Sequence, residues 1–209
     1  YERYVMKAEI AKIAEFEDTE ESFENFRSGF LPSNYEAPVT AGGYLKVKAG
    51  ETHRIRIVGS FKYPTTAIMG WEAWTADNKP VRRSYNVEAY DELTGIDKDN
   101  KPRHFWLFQV WHEDQKMAMI WEITQRTIQD AIRAFVDNPS WGDPSKYIIT
   151  ISRTGTGTDT KYNLMPEPPI ESPSQEIKDA MLSARIDCRA IFVDENPFGS
   201  LVDGDAIPF

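Results

Sequence analysis

The sequence predicts a mainly β chain with helices (β+α) built on a small antiparallel sheet, and three observations carry that expectation. HFWLFQVWH (104–112) and KMAMIWEI (116–123) are dense apolar runs separated only by Glu113, Asp114 and Gln115, the pattern of a hairpin. TQRTIQDAIRAFVDN (124–138) then changes period. Ile128, Ile132 and Phe135 recur on one helical face with Ala131, Thr124 offers an N-cap, and Asn138-Pro139 ends the run. Beyond it, WGDPSKYIITISR (141–153) and TKYNLMP (160–166) flank the Gly-rich turn Thr154–Thr160 as a second hairpin. A helix filling the gap between the third and fourth strands is the layout of an OB-fold-like five-stranded barrel, expected here over residues 44–170.

Taken in order, residues 1–43 read as an N-terminal helical arm and linker. Val5, Ile10, Ile13, Ala14 and Phe16 make an irregular apolar stripe over 1–26, and Asp18 to Glu24 is an acidic patch holding Phe23. Such a helix either lies on the barrel or docks on a neighbouring protomer. Arg27 to Gly43, with Gly29, Pro32, Pro38, Gly42 and Gly43, is the linker. Tyr44–Lys48 and His53–Val58 are alternating strands joined by a tight turn, with Leu45, Val47, Ile55 and Ile57 toward the core. Their other face collects Lys46, Lys48, Arg54 and Arg56. Four cations there suit either a phosphate-binding surface or the charged edges that keep strands from aggregating.

Phe61 to Tyr90 is less regular. Trp71 and Trp74 stand near a turn, followed by Lys79, Arg82, Arg83 and Tyr85. Rings interleaved with cations are what unpaired nucleic acid requires, because bases stack on flat side chains while Lys and Arg track the phosphates. Core packing is the other fate of those tryptophans. Residues 91–104 read as a polar loop with a basic exit at Lys98, Lys101 and Arg103. Asp97 and Asp99 lack the rest of a twelve-residue calcium loop, so an EF-hand is excluded. In 104–112 both parities are apolar, so the strand is either buried twice or presents a stacking platform. If Leu107 points inward, Trp106 and Phe108 are the stackers.

Ser172-Pro173-Ser174-Gln175 reads as the start of a short helix, with Ser172 as N-cap. That helix and a following strand fill 171–193, packed on the barrel, and 194–209 form an acidic, disordered tail. The turn 154–160 lacks the Lys-Ser/Thr of a phosphate-binding P-loop. Cys188 is the one cysteine, so no intramolecular disulfide forms. His53, His104 and His112 show no metal-ligand spacing, and neither a metal nor another cofactor is expected. No run approaches the ~18 apolar residues of a membrane span. The chain shows no signal-peptide pattern and starts on Tyr1 rather than Met, so its native start is expected to have been trimmed. Net charge is −9, unevenly spread. Residues 1–36 hold nine acidic and four basic side chains and 194–209 four acidic and none basic, whereas 37–170 hold 16 and 17. The middle is therefore balanced and free to present a local basic face.

The succession of the 124–138 helix, Trp141-Gly142-Asp143-Pro144, Tyr147, Arg153, Gly155, Gly157 and Tyr162 resembles the single-stranded DNA-binding proteins of tailed bacteriophages over roughly 44–170. That resemblance implies an OB-fold protein that coats single strands in phage replication, recombination and repair, in the cytoplasm of the infected bacterial host. The structural zinc of some such proteins has no ligand set here. Candidate DNA-binding residues are Lys46, Lys48, Arg54, Arg56, Trp71, Trp74, Arg82, Arg83, Tyr85, Arg103, Trp106 and Phe108. The chain ends on Asp205-Ala206-Ile207-Pro208-Phe209, similar to the acidic Ile-Pro-Phe tip of bacterial single-stranded DNA-binding proteins, though less acidic. The similarity implies recruitment of replication and recombination proteins through Asp205, Ile207, Pro208 and Phe209. A terminal aromatic offers a partner an apolar anchor and a free carboxylate at one point.

Two other classes compete. A glycan-binding or virion structural β-module would also use stacked rings, but a neutral glycan needs neither the Lys46/Lys48/Arg54/Arg56 face nor the Ile-Pro-Phe end. An enzyme such as a nuclease would need a nucleophile–base pair, a metal spacing or a carboxylate cluster, and none is legible.

Overall fold

The computed structural model describes residues 26–27, 31–32, 42–97, 101–169 and 172–201. The chain divides into two compact units, Tyr1–Pro38 and Val39–Phe209. In the first, β1 (Phe26–Arg27) pairs antiparallel with β2 (Leu31–Pro32), inside what reads as linker from sequence. The expected helix over 1–26 otherwise lies outside the described residues.

The second unit is a seven-stranded antiparallel sheet: β3 (Thr52–Ile57), β4 (Ala67–Trp74), β5 (Pro80–Ser84), β6 (Arg103–His112), β7 (Met117–Ile123), β8 (Ile149–Thr154) and β9 (Lys161–Pro166). The order is β5-β4-β6-β3-β8-β9, with β7 also on β6. Mainly β with helices is therefore what the chain is. The ten-residue β6 organises it. Residues 106–112 pair with β7, while on the other edge residues 103–108 pair with β4 and 110–112 with β3.

The change of partner falls at Gln109. Its backbone carbonyl accepts from Val58 and Gly59, and its buried side-chain amide donates to the carbonyls of Thr65 (3.1 Å) and Ile186 (2.8 Å). Gly59 is needed at this crossing, since a Cβ there would stand 2.2 Å from the Thr66 carbonyl oxygen.

The double apolar parity of β6 has its answer in layers: both faces are covered from Leu107 onward, while His104 and Trp106 stay half-buried. Phe108 and Val110 join Ile55, Ile57, Trp121, Ile128, Ile132 and Tyr147 under helix α2 (Arg126–Asp137). Phe105, Leu107 and Trp111 join Ile120, Met181, Ile186 and Ile191 under α3 (Gln175–Ser183) and the 3-10 turn Cys188–Val193. A third helix, α1 (Val87–Leu93), follows β5.

Several local expectations are corrected. Tyr44–Lys48 is no hairpin partner of β3. Residues 42–45 run along the outer edge of β7, through Gly42 N–H to Ala118 O (2.7 Å) and Leu45 N–H to Ile120 O (2.7 Å). The bend at 48–51 then hands the chain to β8, where Gly50 donates to Arg153 and Arg153 donates to Glu51. Among the described pairings β9 bonds only β8, so the sheet they define is an open one.

Residues 61–90, irregular from sequence, contain the β4–β5 hairpin and the start of α1, and Asp91–Leu93 of the expected loop complete that helix. Gln125 rather than Thr124 occupies the N-cap of α2, with no side-chain cap bond. Ser174, accepting from Ile177 N–H, replaces Ser172 as the cap of α3. Residues 188–193 make a 3-10 turn, not a strand. The acidic tail is anchored as far as Leu201, which is buried, donates its N–H to the Arg185 carbonyl and accepts from the Arg185 guanidinium Nη2. Phe198 meets Tyr44 edge-on at 5.6 Å.

Candidate nucleic-acid interface

The sheet places the predicted site residues in three separate settings. The first is a row of rings on the α2 side. Alternation puts Met69 and Trp71 of β4 on the same face as His104 and Trp106 of β6, and the register sets Met69 beside Trp106 and Trp71 beside His104. Tyr85, just past β5, stacks on Trp71 at 5.8 Å and 22°, while Tyr90 of α1 meets the same indole edge-on at 4.9 Å. His104 lies 5.1 Å from both Trp71 and Tyr85. The row continues through Trp106 to Phe61 (5.8 Å) and on to Phe108, which Phe61 covers at 4.8 Å. Tyr85 and Phe61 are exposed, Trp71 and Trp106 half-buried, and Phe108 buried.

Helix α2 forms the opposite wall. A cleft of about 340 Å³ lies between Met69, Trp71, Tyr85, His104 and Trp106 on one side and Arg126, Gln129, Asp130 and Arg133 on the other. A second, more apolar cleft of about 330 Å³ adjoins it, lined by Phe61, Trp106, Phe108, Ile132 and Val136. The two share Trp106 and Arg133. Among the described residues, neither the buried His104 Nε2 nor the buried Trp106 indole N–H has a hydrogen-bond partner. Burial, joined by nearby Arg126 and opposed by Gln129, holds the His104 pKa below the usual imidazole value. Arg83, cross-strand from Trp71, stands at the rim with Glu92 at 3.2 Å.

The second setting is the opposite face of β4. There Arg82 and Arg103 flank the buried carboxylate of Glu72, at 3.5 and 3.4 Å, and Arg82 also reaches Glu122 at 3.2 Å. Desolvation first, then Glu122, push the Glu72 pKa up against the pull of the two arginines. Trp74 and the exposed Lys46 border this cluster. Trp71 and Trp74, neighbours in sequence, thus face opposite ways.

The third is the outer side of β3. Arg54 donates through Nε and Nη2 to the two carboxylate oxygens of Glu167 (2.8 and 2.9 Å), with Asp114 at 3.8 Å. Arg56 is buried beside Glu113 (3.5 Å) and donates to the Ser145 carbonyl (3.3 Å). Lys48 is exposed and paired with Glu51 at 3.8 Å. The expected four-cation face is not assembled. The segment carrying Lys46 and Lys48 does not pair with β3, and carboxylates from the β6–β7 turn and the end of β9 engage the two arginines.

Sequence reasoning therefore found Trp71, Arg83, Tyr85, Trp106 and Phe108 of the aromatic row and missed Phe61, Tyr90, His104, Arg126 and Arg133. One signal for His104 was present: it shares parity with Trp106 on one strand. Arg126 and Arg133, seven residues apart on the polar side of α2, carry no nucleic-acid signature by themselves. Asp205, Ile207, Pro208 and Phe209 lie outside the described residues.

No group of three His, Cys, Asp or Glu able to hold a metal ion occurs among the described residues. Among them, too, no helix is long and apolar enough to cross a membrane. Comparison with protein-family models, curated proteins and solved structures finds no match.

Proposed function

We propose that this chain binds single-stranded DNA, without strong sequence preference, along the aromatic row between β4, β6 and α2. The observation that carries the proposal is the unbroken series Tyr85, Trp71, His104, Trp106 and Phe61, flanked by Arg83, Arg126 and Arg133. Partly exposed rings with centroids 5.1–6.3 Å apart offer successive stacking surfaces, and the arginines along one wall suit a backbone of phosphates.

We read the order β9-β8-β3-β6-β7, with α2 between β7 and β8, as an OB-like barrel opened between its third and fifth strands. The β4–β5 hairpin is then an insertion between the first two. This supports the resemblance to phage single-stranded DNA-binding proteins, and with it a non-enzymatic role in phage replication, recombination and repair within the host cytoplasm. The Ile207-Pro208-Phe209 tip would recruit partner proteins, and the N-terminal arm would serve self-association.

Titration of the intrinsic tryptophan fluorescence with oligo-dT, duplex DNA and a neutral oligosaccharide, at two salt concentrations, tests the proposal. Saturable quenching by oligo-dT that weakens with salt supports it. Quenching by the oligosaccharide alone, insensitive to salt, would replace it with glycan binding.

A further inference from the structure

On the polar side of α2, Arg126 Nε lies 3.0 Å from both carboxylate oxygens of Asp130, and Arg133 Nη1 lies 4.0 Å from one of them. At i, i+4 and i+7 the three share one helical face, and all three line the aromatic cleft. Among the described residues that line it, Asp130 is the one carboxylate. We propose that Arg126 and Arg133 are the seat of a backbone phosphate, and that Asp130 occupies that seat in the free protein as an internal stand-in for it. The proposal rests on the reading of the cleft as a single-strand groove and adds where a phosphate lands and what it must displace.

The chemistry favours exchange. A carboxylate and a phosphodiester present the same pair of anionic oxygens to a guanidinium fork. The resident pair is weakly held, because all three side chains are at least half exposed and exposed helical ion pairs are largely screened. A strand whose bases already lie on Trp71 and Trp106 brings its phosphate to the arginines at high effective concentration. Asp130 therefore lowers affinity for the strand without abolishing it. It also keeps the two arginines from attracting other anions while the groove is empty.

The test measures oligo-dT affinity by anisotropy for the full chain and for Asp130→Asn, Arg126→Ala, and Asp130→Asn combined with Arg126→Ala. Glu176→Gln, at an exposed position in the first turn of α3, controls for net charge. Asp130→Asn should tighten binding about two- to fivefold, the scale of an exposed ion pair. Arg126→Ala should weaken binding and lower the salt slope by about 0.7, one phosphate's share on a single strand. In the Arg126→Ala background the gain from Asp130→Asn should shrink, since only Arg133 is left for it to release. A gain undiminished there, or one that Glu176→Gln reproduces, overturns the phosphate seat and leaves single-strand binding standing. Absence of any saturable oligo-dT binding by the unmodified chain removes both.

Discussion

Trp71 is the centre of the aromatic row, with Tyr85 stacked on it, Tyr90 meeting it edge-on and His104 tilted against it. Replacing it by alanine deletes one stacking surface, worth ~1–3 kcal/mol per base, so the Kd for oligo-dT should rise about 5- to 150-fold. The fold should survive. Trp71 is half-buried at the rim of the sheet, and its ring contacts are worth roughly 1–3 kcal/mol together. For a chain of this size that lowers Tm by about 2–10 °C. Trp71→Phe keeps a ring on Tyr85 and should recover most of the affinity. Trp74→Ala, on the opposite face, should leave affinity within twofold. Anisotropy of end-labelled oligo-dT avoids relying on the tryptophan signal that the substitution alters, and circular dichroism reports the fold. A folded Trp71→Ala protein that binds as tightly as the parent would refute the placement of the strand.

Two further predictions concern the frame that holds the cleft. Arg54, hydrogen-bonded to Glu167, holds that carboxyl below its ordinary pKa. Its contribution is therefore fully present above the unfolded carboxylate value near 4.3 and is lost as pH falls through the depressed folded value. Because both side chains are partly exposed, Glu167→Gln should cost only about 0.5–1 kcal/mol at pH 7. The cost should shrink as pH falls below that carboxylate range, and urea unfolding at pH 7 and at an acidic pH reads the difference. Gln109→Leu removes the amide that bridges Thr65 and Ile186 at the change of partners on β6. Thr65 O keeps the Cys188 N–H, so the loss falls chiefly on Ile186 O. The substitution should destabilise by about 1–3 kcal/mol, while oligo-dT affinity of the folded protein stays unchanged.

Much of the sheet was legible because its signals are local. β6, β7, α2 and the β8–β9 hairpin each declare a period and end on turn residues, and Gly155 at φ +70° makes the turn the sequence announces. The β4–β5 hairpin was hidden because β4 packs on both faces and so loses the alternation that marks a half-buried strand. Parity alone grouped Arg54 with Arg56 correctly. It had no means of foreseeing that Glu113 and Glu167, 57 and 113 residues further along the chain from them, would claim the pair.

The candidate site was half visible for the same reason. Rings within one strand follow from alternation, whereas Arg126, Arg133 and Phe61 reach the row only through tertiary contact. Trp71 and Trp74 were grouped by closeness in sequence, and an odd spacing along a strand sends them to opposite faces.

The most direct measurement is photocrosslinking of oligo-dT carrying 5-iododeoxyuridine, followed by peptide mapping of the adducts. A strand lying along the row should yield adducts at Trp71, Tyr85, His104 and Trp106. Adducts confined to Trp74 or Trp141, with the row untouched in a complex that binds saturably, would contradict it.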